Sequence, residues 1–316
     1  MRNLPFSPTP IMELPYFSKK WNVELLCKRD DLFLEAGGGN KARMLQFILA
    51  NINSSSTDVV VTAGGPCSNF NRACALMCAK LGVRMHLIEY TDEPKEWKSL
   101  NYFLCKLSDV STTRCDKRNV PETIQKVIKD YQDNNVRTAF IYGGGKSLEG
   151  IYAYYDAVRE LKDQCNKVDH IFVACGTGTT LTGICAGMQY FFPGAIVHAI
   201  STARKFEDEL NVLNDDMEIL NSHLGTSYNF NNLEFSDSFL CGGYAKYDQC
   251  ILNIIKECIS NEGMLIDPTY SGKAFYGMEK IIETIPERFV GKKILFWNTG
   301  GLMNLLSVAY DSETEE

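Results

Sequence analysis

Short apolar runs rich in β-branched and aromatic residues alternate along the chain with longer stretches of helical period. The runs are "TDVVVTAGG" at 57–65, "VRMHLIEY" at 83–90, "TAFIYGGG" at 138–145, "HIFVACGTG" at 170–178, "AIVHAIS" at 195–201 and "KKILFWNTGG" at 292–301. Between them lie amphipathic segments such as "NFNRACALMCAKLG", "PETIQKVIKDYQDNN" and "LEGIYAYYDAVRELKDQ", the first closing on Gly82 as a helix stop. This alternation predicts an α/β protein with mainly parallel, twisted sheets flanked by helices. Four of the runs end in glycine clusters, and ligands of open α/β sheets bind beyond the carboxyl ends of strands. Residues 202–240 are acidic, rich in asparagine and weakly periodic, which predicts a helix and an irregular connection, while the tail "DSETEE" predicts disorder. No repeat or low-complexity linker divides the chain, so any division into domains is discontinuous or tightly packed.

Composition narrows the function classes. A chain of 316 residues with 45% hydrophobic content can bury a large core. Its net charge of -7 and the lack of a basic stripe argue against nucleic acid as a partner. No run reaches the roughly 18 apolar residues of a membrane span, and the start "MRNLPFSPTPIMEL" lacks the apolar segment of a signal peptide. The expectation is a cytoplasmic protein without a membrane partner. Twelve cysteines are scattered, several in apolar runs (Cys27, Cys105, Cys175, Cys185), and read as buried thiols rather than bridges. His86, His170, His198 and His223 stand at no ligand-like spacing, so no metal is expected.

Two glycine-rich stretches carry candidate chemistry. In "EAGGGNKARMLQF", at 35–47, Gly37, Gly38, Gly39 and Asn40 deliver Lys41 to the start of a helical pattern. Glycines let a backbone approach a ligand closely, whereas a lysine at a helix start opposes the helix dipole. Lys41 reads either as a solvated lysine after a flexible loop or as a Schiff-base lysine, whose amine needs desolvating or cationic neighbours to be nucleophilic. In "CGTGTTLTG", at 175–183, a strand runs into a helix, and the amides and hydroxyls of Gly176, Thr177, Gly178, Thr179 and Thr180 can cradle a phosphate at the helix N-terminus. The loop is not a Walker A motif, since no Gly-Lys-Ser/Thr follows, and Leu181 stands where G-x-G-x-x-G needs its third glycine. A lysine from one glycine loop and a phosphate cup from another are together what pyridoxal 5'-phosphate requires.

With these stretches stand "PTPIMEL", "LLCKRDDLF", "TAGGPCSNFNRACALMCAKLG", "YGGGKSLEGIYAYYDAVREL", "NEGMLIDPTYSGKAFYGM" and "ILFWNTGG". In that order, almost end to end, the chain resembles the D-cysteine desulfhydrase and 1-aminocyclopropane-1-carboxylate deaminase family of tryptophan-synthase-β-like, fold type II enzymes. The resemblance implies two α/β domains with the cofactor in the cleft between them, a large one from 1–44 and 151–316 and a small one from 45–150. It implies a homodimer acting on a small amino acid. Lys41 would be the covalent tether of the cofactor, with Asn40 steadying the loop or the ring hydroxyl, Gly176 to Thr180 holding the phosphate and Thr299 near the pyridine nitrogen. Ser68 and Asn69 would hold the substrate carboxylate, with Ser68 also a catalytic residue assisting proton movement, and Ser68 also reads as a helix N-cap. Tyr270, in "DPTYSGK", would act on the Cα side or on the leaving group, or else be a packed aromatic with a satisfied hydroxyl.

Three departures bear on the substrate. The family's Gln-Ser-Asn-His pattern reads "CSNF" here, so Cys67 and Phe70 make that end of the pocket more apolar. Phe296 stands where cyclopropane-opening relatives have a second tyrosine, which argues against ring opening and for α,β-elimination. Trp297 is a further departure without an assigned effect. The resulting expectation is a lyase of D-cysteine desulfhydrase type releasing pyruvate, ammonia and sulfide. The alternatives are cysteine-synthase-like β-replacement or other specialised amino-acid chemistry on the same scaffold, 1-aminocyclopropane-1-carboxylate deamination and a non-catalytic cofactor binder.

Overall fold

The apolar runs pair into two sheets in a computed structural model of the chain, whose described residues are 8–50, 52, 55–90 and 99–313. The larger sheet contains β1 (Ile11–Glu13), β2 (Glu24–Arg29), β7 (His170–Cys175), β8 (Ile196–Ser201), β9 (Leu233–Ser236) and β10 (Lys293–Asn298), in the order β1-β2-β10-β7-β8-β9. The smaller contains β3 (Val59–Gly64), β4 (Arg84–Tyr90), β5 (Ser111–Cys115) and β6 (Thr138–Phe140), in the order β5-β4-β3-β6. Every pairing is parallel except β1 on β2. Four strands lie outside the six apolar runs. β1, β5 and β9 are edge strands with exposed or half-buried side chains, which lack an apolar signature because one flank meets solvent. The fourth, β2, is central but carries Lys28 and Arg29.

The helices used below are α2 (Asn40–Ile48), α3 (Asn69–Leu81), α4 (Leu100–Leu107), α5 (Val120–Asp133), α6 (Leu148–Gln164), α7 (Thr179–Phe191), α8 (Phe206–Leu224), α10 (Ser271–Thr284) and α11 (Leu302–Glu313). The segment 202–240 holds α8 followed by β9, so its connection is partly a strand. α11 includes the first three residues of the "DSETEE" tail, which are helical rather than disordered; its last three lie outside the described residues. The expected domain limits at 44/45 and 150/151 fall inside α2 and α6. α2 stands between β2 of the larger sheet and β3 of the smaller, and α6 between β6 of the smaller and β7 of the larger. Gly82 closes α3 in the left-handed conformation, as its place in the pattern predicts.

Both faces of the larger sheet are buried. Leu295 and Trp297 of β10 join a core with α6 and α7, whereas Ile294 and Phe296 join one with α10 on the opposite face. Trp297 donates its indole N–H to Asp30 Oδ2 at 3.0 Å, which explains an aromatic with a polar edge at that position. On the other face His170 Nδ1 and His198 Nε2 are 3.0 Å apart, and His198 stacks on Phe172 at 4.3 Å. Glu234, itself paired with Arg288, lies 3.3 Å from His198 Nδ1. Burial depresses His170 to about 4 and His198 to about 3.

The unfolded rings therefore take up protons near pH 6.5 that the folded rings refuse. Their stabilising contribution is whole above pH 6.5 and is lost as pH falls through about 4 and then about 3. In that window each neutral ring accounts for roughly 1.4 kcal/mol of stability per pH unit. Urea midpoints measured from pH 7.5 to 4 should fall less steeply in His198→Gln than in the parent. Parallel curves would show that the pair does not govern the acid limb.

Candidate functional site

All four glycine clusters predicted at strand ends line one cavity of about 800 Å³. It opens beyond the carboxyl ends of β3, β6, β7, β8 and β10, so both sheets face it. Gly64 and Gly65, Gly143 and Gly144, Gly176 and Gly178, and Gly300 form its floor and rims. Asn40, Lys41, Ser68, Asn69, Phe70, Gly176, Thr177, Gly178, Thr180, Tyr270 and Thr299 also reach it, so most of the sequence-predicted residues meet in one place.

Lys41 is the second residue of α2. Gly38 and Gly39 precede it with φ of +78° and +95°. A Cβ on Gly38 would collide with the Asp31 carbonyl, and one on Gly39 would come within 3.0 Å of Thr299 O. The glycines are thus demanded by the protein's own backbone, which lets the loop press against the turn Asp30–Leu32 and the end of β10. Lys41 Nζ donates to Gly144 O at 2.8 Å, and burial depresses the amine to about 8. Asn40 donates through Nδ2 to Thr180 Oγ1 at 3.0 Å, tying the lysine loop to the phosphate loop.

Gly178 caps α7 with φ of +82°, leaving the first amides of a 13-residue helix open toward the cavity. Thr179 departs from expectation. Its side chain is fully buried with its methyl toward Gly150, so this residue adds only backbone to the loop. Ser68 caps α3 by accepting from Asn71 N at 3.2 Å, and Asn69 Oδ1 accepts from Asn101 Nδ2 at 3.1 Å. Phe70 lines the cavity but exposes almost none of its surface. It is 1% exposed and packs with Phe33, Ala42 and Cys74, so its bulk fills the core between α2 and α3 rather than the pocket. Cys67 does not line the cavity, although its carbonyl accepts from Asn101 Nδ2 at 3.2 Å.

The Tyr270 ring lies over Gly176, whose Cβ, were it present, would sit 3.3 Å from Tyr270 Cε1. Burial raises this phenol well above the ordinary value of 10. Phe296 is a correction. It is fully buried on the α10 face of β10, 4.9 Å from Phe275, and lines no part of the cavity. Asn298 also turns away, donating to Leu265 O and accepting from Gly300 N. Sequence reasoning missed Tyr244, Tyr142, Lys117 and Arg204, which also line the cavity. The cluster "YGGG" could have pointed to Gly144, whereas Tyr244 sits in a loop without periodicity.

These groups fit a phosphorylated aldehyde: an amine of depressed basicity, helix-start amides with the Thr177 and Thr180 hydroxyls for a dianion, and Thr299 on the remaining wall. Among the described residues no group of three His, Cys, Asp or Glu side chains could hold a metal ion, and no helix is long and apolar enough to cross a membrane. All twelve cysteines are free thiols.

Residues 3–300 match the family model described as pyridoxal-phosphate dependent enzyme. The chain is 31% identical, over 96% of its length and 80% of the relative's, to the mitochondrial bifunctional D-cysteine desulfhydrase/1-aminocyclopropane-1-carboxylate deaminase of Arabidopsis thaliana. Among solved structures, an ACC deaminase homologue superposes with a TM-score of 0.87 at 29% identity, covering 99% of this chain and 95% of the other. Serine racemase from Dictyostelium discoideum shares the fold, with a TM-score of 0.69 at 16% identity over 93% and 92% of the two chains. The mainly parallel six- and four-stranded arrangement is accordingly that of the fold type II enzymes. With both the sequence and its cavity in view, the chain belongs to the pyridoxal-phosphate dependent enzyme family.

Proposed function

We propose that this enzyme removes a β-substituent from a small amino acid, with D-cysteine as substrate and pyruvate, ammonia and sulfide as products. The observation that carries the proposal is the Lys41 amine, depressed to about 8 and set in one cavity with the helix-start loop Gly176–Thr180. The activities for which the Arabidopsis relative is named support the substrate class. Lys41 would hold the cofactor through its amine and would be the base that takes the Cα proton of the substrate. Pyridoxal phosphate, when bound, supplies the conjugated ring that takes up the electron pair left at Cα. The open amides of α3 beside Ser68, with Asn69, hold the substrate carboxylate. Thr299, on the cavity wall, would stand by the ring nitrogen and, as a neutral hydroxyl, would not protonate it. Tyr270 gives its proton to the departing sulfur. Water then completes the balance, since D-cysteine plus one water equals pyruvate, ammonia and hydrogen sulfide.

The reading extends to a homodimer in the cytoplasm, a compartment consistent with free thiols. It also places the cofactor between a large domain built from both chain ends and a small one built on β3 to β6.

One observation favours a second reading. Because Phe296 lies in the core, its missing hydroxyl no longer weighs against ring opening, and a second phenol, Tyr244, does line the cavity. The purified, cofactor-loaded protein should therefore be given D-cysteine, L-cysteine and 1-aminocyclopropane-1-carboxylate in parallel. Pyruvate and sulfide from D-cysteine alone are the expected result. A keto acid from the cyclopropane substrate alone would replace the proposal with the second reading, and consumption of cysteine only when a thiol is added would point to β-replacement.

A further inference from the structure

Two carboxylates stand behind the loop that starts α7. Glu209, Leu213 and Asp216 form one buried stripe of α8, at the i, i+4, i+7 spacing of a single helix face, and none of them lines the cavity. The stripe packs on the loop, since a Cβ on Gly178 would lie 2.9 Å from Glu209 Oε1 and 3.0 Å from Leu213 Cδ2. Glu209 has a close cation, for Arg204 Nη1 donates to its Oε2 at 2.9 Å. Asp216 is less well served. It is fully buried, neither of its oxygens accepts a hydrogen bond among the described residues, and Lys146 Nζ stands 3.6 Å from Oδ1.

Thr179 supplies a second unsatisfied group. Its hydroxyl is buried without a hydrogen bond, while its amide belongs to the open first turn of α7. The groups that act on Asp216 are this hydroxyl from α7, the Lys146 ammonium from the stretch between β6 and α6, and Asp215 beside it on α8. Lysine and hydroxyl favour the charged form, yet burial prevails and raises the carboxyl to about 6. In either protonation state acid and hydroxyl can bond: Thr179 Oγ1 donates to a carboxylate, or a carboxylic acid donates to Thr179 Oγ1. The proton sets the direction of that bond and the charge behind the loop.

A phosphate dianion on the α7 amides and a carboxylate behind them repel one another through a poorly screening interior. We propose that Asp216 is a positioning residue of the phosphate loop, one that takes up a proton when a phosphate monoester binds and then donates it to Thr179 Oγ1. This rests on the phosphate role given to Gly176–Thr180 above. The balance is simple: solvent provides the proton, one O–H bond forms on the carboxylate, and the half-exposed Lys146 ammonium is left to water.

The test counts protons rather than turnover. The full chain, stripped of cofactor, is titrated calorimetrically with pyridoxine 5'-phosphate, which has no aldehyde to react with Lys41, in two buffers of different ionisation enthalpy. At pH 7, where the probe's phosphate is mostly dianionic, the parent should take up roughly half a proton more per ligand than Asp216→Asn. Lys41 meets the probe in both proteins, so its contribution cancels. Binding favours the protonated acid, so from pH 6 to 8 the parent should lose affinity relative to Asp216→Asn. Lys146→Met removes the cation and keeps the acid, and should move the uptake to higher pH. Equal uptake in parent and Asp216→Asn, or an unmoved uptake in Lys146→Met, overturns the inference and leaves the phosphate role intact. A parent that does not bind the probe removes that role, and the inference with it.

Discussion

Lys41→Ala should lose the visible absorbance of the covalently held cofactor and at least roughly a thousandfold in turnover, while keeping the thermal stability of the parent. The side chain enters the cavity and its single strong hydrogen bond is to Gly144 O, so its removal leaves no buried ionic partner behind. Lys41→Arg should fail in the same way. It preserves charge and length but offers no amine that deprotonates, which isolates nucleophilicity from electrostatics. The depressed basicity also has a kinetic signature. Reconstitution of the unloaded protein with the aldehyde should quicken as pH rises and level off above about 8, where the amine is free. Covalent retention of the cofactor by Lys41→Ala would remove Lys41 from the site, and a pH-independent reconstitution rate would remove the role of burial.

How much of this site could be read beforehand depends on whether a residue's task is local. The Ser68 cap and the Gly82 stop follow from a few consecutive residues, and both stand where the pattern places them. The glycine clusters are equally local, and the parallel topology alone brings their strand ends together. Facing is different. β10 is buried on both sides, so "ILFWN" carries no apolar alternation to tell which side chains point to which core. Phe296 consequently reads as a pocket residue in the sequence, whereas it belongs to the α10 face. Thr179 fails for the related reason that one step around a helix start turns a side chain away from the cavity while its amide stays. Lys41 itself stayed open on local grounds, since a glycine loop before a lysine suits solvent as well as chemistry. Several motifs in order favour the second reading, and the cavity brings the amine together with the loop that starts α7. Tyr244 had neither a motif nor a period.

Least legible of all was the charge cluster beneath Lys41, because charged residues read as surface unless their partners are known. Arg43 lies two residues after Lys41, on the opposite side of α2, and is fully buried. It donates to Asp30 Oδ1 at 2.8 Å, Glu160 Oε2 at 2.7 Å and Thr9 Oγ1 at 2.9 Å. Asp30 also accepts from Tyr154 Oη at 2.6 Å and Trp297 Nε1, while Glu160 pairs with buried Lys28. Burial works to raise both carboxyls, but the charge of Arg43 and its hydrogen bonds hold them below their ordinary values. Arg43→Ala should therefore destabilise the fold by about 3–5 kcal/mol, because the two buried carboxylates lose the cation they share and keep Lys28 as their remaining positive neighbour. The deficit should be largest near pH 7.5 and narrow toward pH 5. Without Arg43 an orphaned carboxyl titrates above its unfolded value, so the variant regains stability as that group protonates. Urea midpoints of parent and variant at both pH values give the difference directly. A deficit under about 1 kcal/mol would show that α2 is held by apolar packing. A large, pH-independent deficit would assign the loss to the cavity left by the side chain rather than to unpaired charge.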